Sequence, residues 1–104
     1  METVYVYKNS YGDYRVHPAV VVLKGGNNLR IVNASGVTLK VVVPAGASKP
    51  SDPVEIEIPS EDRGDIKSRS QGDGKTRAYS YKVATKSGQK RAHGNSDPIM
   101  IVEN

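Results

Sequence analysis

Two histidines, His17 and His93, and the absence of cysteine set the limits of the chemistry this chain can carry. Without a thiol there is no thiol nucleophile, no disulfide and no thiolate metal ligand. Two imidazoles fall short of an ordinary metal site, which takes three or four ligands. His17 and His93 are nonetheless the candidate metal pair, if the fold brings them to one end. The acids near the basic C-terminal segment are Asp65, Asp73 and Asp97. They form neither a Ser-His-Asp order nor a paired-carboxylate spacing. No catalytic residue and no cofactor are therefore expected, and the chain reads as non-enzymatic.

Three short motifs carry chemistry only in the right context. Gly74-Lys75-Thr76 matches the tail of a phosphate-binding loop, but the position that needs the first glycine holds Arg69, and no strand and helix flank it. It reads as a turn. Arg63-Gly64-Asp65 is the tripeptide read by some adhesion receptors, here in an expected exposed loop; three residues also recur by chance. Asn33-Ala34-Ser35 fits a glycosylation acceptor and equally a turn cap.

Charge is the stronger signal. The net charge is +4, and it is uneven. Residues 52–62 hold five acids and no base, whereas residues 63–91 hold nine Lys/Arg against Asp65 and Asp73. Such a run is a solvated face or a patch for an anionic partner. Lys82, Lys86, Lys90, Arg91 and His93 are the expected partner-binding residues, placed to offer charge and hydrogen-bond donors. All six aromatic residues are tyrosines, rings that can pack on a core or stack on bases or sugars. Tyr5/Tyr7 and Tyr79/Tyr81 sit at strand spacing, so one of each neighbouring pair-set is expected to pack on the core.

The elements that must position these residues are short strands. Thr3–Lys8, Tyr14–Val16, Ala19–Lys24, Leu29–Asn33, Val37–Val43, Val54–Ile58, Arg77–Ala84 and Pro98–Glu103 alternate or are rich in β-branched residues. Gly25-Gly26-Asn27-Asn28 reads as a hairpin turn joining Ala19–Lys24 to Leu29–Asn33. Val54, Ile56 and Ile58 are expected inward, with Glu55 and Glu57 outward. Ser60–Thr76 shows no pattern and reads as a long loop, with Ile66 its only aliphatic residue. Pro18 and Pro98 are expected at protected edge strands. The sum is one all-β domain over residues 1–104, an antiparallel Greek-key sandwich of about seven or eight strands.

Three pieces taken together resemble the cupredoxins, the blue-copper family. HPAVVVLKGGNNLRIVNASG resembles that family's opening of a strand, a Lys-Gly turn and a strand ending in Asn. VTLKVVVP resembles the strand after the first histidine ligand, and AYSYKV with PIMIVEN resembles the strands flanking the ligand loop. The resemblance covers roughly residues 16–104. It implies the cupredoxin fold and shows where copper ligands would stand. A blue-copper site needs a thiolate, two imidazoles and commonly a weak axial Met. Val83 takes the cysteine position, Leu39 or Thr38 the first histidine, Lys86 the second, and Arg91 falls near the methionine. The resemblance therefore implies a copper-free scaffold.

Three functions stay open at this point. The first is a non-enzymatic binding or structural module that meets an unknown protein or anionic ligand through its basic loop end. The second is binding of single-stranded nucleic acid or another polyanion through Tyr and Lys/Arg. The third is metal handling at a non-blue His17–His93 site. The N-terminus has no signal-peptide pattern and no apolar run long enough to span a membrane. The compartment is unassigned: periplasmic or secreted only if a signal has been removed. Sequence alone does not give the partner or the oligomeric state.

Overall fold

A computed structural model describes residues 2–47, 54–69, 72–88, 90–92 and 97–103. These hold eleven strands: β1 Glu2–Lys8, β2 Tyr14–His17, β3 Val20–Lys24, β4 Asn28–Ala34, β5 Leu39–Val43, β6 Val54–Ile58, β7 Arg63–Lys67, β8 Arg77–Ser80, β9 Lys82–Thr85, β10 Arg91–Ala92 and β11 Ile99–Glu103. Period-two alternation decides which side chains enter the core. Val4 and Val6 of β1 are fully buried, while Tyr5 and Tyr7 between and beyond them face out. Leu39, Val41 and Val43 do the same on β5. On β6, Ile58 is buried and Val54 and Ile56 pack against the core, with Glu55 and Glu57 outside.

The strands form an all-β sandwich. One sheet runs in the order β2-β1-β4-β7. The other layer comprises the sheets β10-β9-β5-β6 and β3-β11-β8, joined where β8 runs into β9 through the single residue Tyr81. Six of the strand pairings are antiparallel; β1 with β4 and β3 with β11 are parallel. The sandwich is thus mixed, and its strands are more numerous than the sequence suggested.

Three local expectations are corrected. β3 and β4 are not hairpin partners. β3 pairs with β11 and β4 with β1, so the Gly25–Asn27 turn carries the chain from one layer to the other. Buried Ser68 secures that turn, accepting from the Gly26 amide and donating to the Asn27 carbonyl at 2.7 Å. Second, the supposed loop Ser60–Thr76 contains β7, which pairs with β4 and buries Ile66 opposite Leu29. Third, Pro98 precedes β11, a central strand, and its carbonyl accepts the Tyr81 N–H at 3.0 Å.

Gly64 shows why β7 was hard to read. A Cβ there would lie 3.0 Å from Cδ1 of both Ile56 and Ile58. The residue is small because β6 and β7 approach closely across the sandwich. Arg63-Gly64-Asp65 is consequently a strand segment, with Asp65 clamped by Arg30 at 2.9 and 3.2 Å.

Candidate functional site

Two polar clusters meet at Thr38, on the end of the sandwich where the β4–β5 and β9–β10 connections lie. The first is built on Asn33, the last inward residue of β4. Its Nδ2 reaches three carbonyl oxygens, of Val37 at 2.7 Å, Ile58 at 2.9 Å and Pro59 at 3.0 Å. Its Oδ1 accepts from the Ser35 hydroxyl at 2.6 Å and the Ser35 amide at 3.0 Å. Its main chain binds the β6–β7 turn, donating to the Asp62 carbonyl and accepting from the Glu61 amide. Glu61 holds that turn at φ 66°, a left-handed conformation that costs a non-glycine residue free energy. Asn33 is 1% exposed. It caps the turn, and in the folded chain its amide is inaccessible, with its hydrogens shared among three carbonyls.

The second cluster is open. The β9–β10 turn is closed by main-chain bonds from Gly88 to Thr85 at 2.7 Å and from Thr85 to Lys90 at 2.9 Å. The Lys86 amide donates to the Thr38 carbonyl at 3.0 Å, tying the turn to β5. Two adjoining clefts share Tyr14 and Lys90. One, of about 340 Å³, runs between Asp13, Arg15, Lys90 and Arg91. The other, of about 360 Å³, lies between Thr38, Thr85, Lys86, Ser87 and Lys90.

The cations expected to bind a partner are not equally available. Lys86 meets Glu57 at 3.6 Å and Arg91 meets Asp97 at 3.6 Å. Lys90 is exposed and makes no ion pair among the described residues. Lys82 is exposed on β9, outward like Lys40, while Lys40 pairs with Glu55 at 3.0 Å. Of the acidic run of residues 52–62, Glu57 thus offsets Lys86 of the basic run, while Glu55 is taken by Lys40 of β5. Arg77 is drawn away as well: its guanidinium grips Asp73 and, with the Lys75 amide, holds that carboxyl down at about 2. His93 lies outside the described residues, so its placement beside these groups is not part of the geometry.

The positions assigned to copper ligands do not fit the metal. Val83 is buried and pairs with Val41 in the core, and Leu39 is fully buried. Hydrocarbon fills those two places. Lys86 and Arg91, at the other two, bring positive charge and already face carboxylates. A copper ion would meet no thiolate, no imidazole and no thioether there. His17 ends β2 on the outer face of the first sheet, across from Tyr5. Among the described residues no group of three or more His, Cys, Asp or Glu could hold a metal.

No family model matches the sequence, and no curated protein sequence matches it. Solved structures do match. Amicyanin from Paracoccus versutus (Thiobacillus versutus) is 18% identical, with TM-score 0.63, covering 98% of this chain and 80% of that one. An oxidized amicyanin mutant is 15% identical with TM-score 0.65, and the reduced Cu(I) form of another mutant at pH 4 is 15% identical with TM-score 0.64. Each of those two alignments covers 98% of this chain and 81% of the amicyanin. At this identity the likeness shows the fold. The chain is a cupredoxin-like β-sandwich that lacks the copper ligands.

Sequence reasoning reached Lys86, Lys90 and Arg91, which the fold brings to one rim. It missed Tyr14 and Arg15, which form the opposite wall of the cleft from β2. Nothing local in the sequence links residues 14–15 to residues 90–91; the sandwich topology does. No helix among the described residues is long and apolar enough to cross a membrane.

Proposed function

We propose that this chain is a non-enzymatic binding module, and that its working surface is the cationic cleft at the β9–β10 end. The partner class is an anionic segment, such as an acidic stretch of another protein. The observation that supports this most is Lys90, an exposed ammonium at the junction of two clefts with Arg15, Lys86 and Arg91 around it. Three of these cations also face a carboxylate, namely Asp13, Glu57 and Asp97. Exposed pairs of this kind are worth little, about 0–1 kcal/mol, so an incoming carboxylate can exchange with them at small cost. Lys82, exposed on β9, is assigned to the same proposed surface.

The test is calorimetric titration with a polyglutamate peptide at low salt. The parent should bind, and the variant Lys86→Glu/Lys90→Glu/Arg91→Glu should lose at least tenfold in affinity. Equal affinity of the two proteins overturns the proposal.

A further inference from the structure

Aromatic side chains of a soluble domain are usually spent in its core, yet two of the six tyrosines stand on an open sheet face. Tyr5 is 51% exposed and Tyr7 is 39% exposed, while Tyr81 is fully buried and Tyr79 packs against the core. Tyr5 and Tyr7 point the same way from β1, an inner strand of the β2-β1-β4-β7 sheet. Residues two apart on a strand are about 6.7 Å apart along it, comparable to the step between neighbouring bases in an extended single strand.

Register fixes their surroundings. One row across the four strands reads His17, Tyr5, Val32, Arg63, and the next reads Arg15, Tyr7, Ala34. Beyond the first row, Thr3, Arg30 and Asp65 align, then Asn28 and Lys67. The outward positions of this sheet thus carry Arg15, Arg30, Arg63 and Lys67 against the single carboxylate of Asp65. That carboxylate is committed to Arg30, and the bidentate guanidinium holds it below the usual carboxylate range. Arg63 and Lys67 make no ion pair among the described residues.

We propose that this face binds single-stranded nucleic acid, with Tyr5 and Tyr7 stacking on successive bases and Arg15, Arg63 and Lys67 receiving the phosphates. The two requirements of such a surface are sequence-tolerant aromatic platforms and cations flanking them. Both are met on one sheet face, where the two rings stand exposed among the described residues. The footprint is short. Glu61 and Asp62 stand at the Arg63 corner beside a hollow of about 380 Å³, and Asp13 stands 3.8 Å from Arg15, so the binding track is confined to the tyrosine rows. Arg15 is shared with the β9–β10 cleft, whereas Tyr5, Tyr7, Arg63 and Lys67 do not line it.

The probe is a fluorescently labelled oligothymidylate of about 12 nucleotides, followed by anisotropy at about 50 mM salt, where a non-specific site binds more tightly than the roughly 1–100 µM typical of physiological salt. Tyr5→Ala/Tyr7→Ala should weaken binding at least tenfold, since each stacked base contributes roughly 5- to 150-fold. Tyr5→Phe/Tyr7→Phe keeps both rings and should bind like the parent, which separates stacking from damage to the fold. Arg63→Ala should reduce the salt slope by about 0.7, as expected for one phosphate contact on a single strand. Absence of binding at about 50 mM salt overturns the proposal. So does an alanine double variant that binds like the parent, or binding abolished by Lys90→Glu alone, which would assign the nucleic acid to the cleft.

Discussion

Asn33, bonded to the Val37 carbonyl, and Lys90, which shares a cleft with Val37 and Thr38, are both polar, but their neighbourhoods differ. Around Asn33 every donor and acceptor of the side chain is matched within the protein, by Val37, Ile58, Pro59 and Ser35. Around Lys90 the ammonium faces solvent in a cleft, and its neighbours Lys86 and Arg91 hold only long, exposed ion pairs. A buried polar group must be satisfied or it costs about 1–3 kcal/mol. An exposed one is hydrated and costs nothing to leave unpaired. The contrast separates scaffold from working surface at one end of the molecule: the asparagine holds two turns in place, and the lysine is left available to something outside the chain.

Substitutions should divide along the same line. Asn33→Ala removes five side-chain contacts at a buried position, so it should cost about 3 kcal/mol or more in chemical denaturation. A loss below about 1 kcal/mol would break the contrast. Ser35→Ala leaves Oδ1 of Asn33 with the Ser35 amide alone, and about 1–2 kcal/mol should be lost by the same measurement.

Tyr81 tests the rule from the other direction. Its hydroxyl is buried and has no hydrogen-bond partner among the described residues. Tyr81→Phe should therefore leave stability at neutral pH unchanged or raise it, within about 1 kcal/mol. Burial also pushes the Tyr81 phenol up from its ordinary value. A group whose folded pKa is raised keeps its full contribution below the unfolded pKa, here about 10, and loses it as pH climbs further, because only the unfolded chain ionises. The parent should lose stability above about pH 10 relative to Tyr81→Phe, and parallel curves for the two proteins would refute the assignment. The smallest effect belongs to Lys90→Ala, which should shift stability by no more than about 0.5 kcal/mol while weakening polyglutamate binding. A larger destabilisation would mean that Lys90 is scaffold after all.

Much of the scaffold half was legible. The alternation of Val4/Val6 with Tyr5/Tyr7, and of Leu39/Val41/Val43 with Lys40, reads directly as strands with an inner and an outer face. So does the absence of a thiolate, which removes the metal from the cupredoxin resemblance. What failed was partnership. Gly25-Gly26 has hairpin chemistry, but VVVLK and IMIVE are apolar on both faces, as strands in parallel pairs often are. Their ladder joins chain segments about 80 residues apart, as the pairing of Val20 with Ile99 shows, and no turn encodes that. β7 hid because one of its inward positions is Gly64, made small by the approach of β6 rather than by any loop. On the binding side, the basic run was visible, but its offset by Glu57 and Asp97 and its second wall at Tyr14 and Arg15 arise only when the layers close.

The most direct test is an amide NMR titration of the labelled protein with the polyglutamate peptide. The account predicts shifts concentrated at Tyr14, Arg15, Thr38, Lys86, Ser87, Lys90 and Arg91, with the Asn33–Ser35 turn moving little. Shifts confined to other faces, or none at all, would contradict the claim that this copper-free sandwich works through its β9–β10 end.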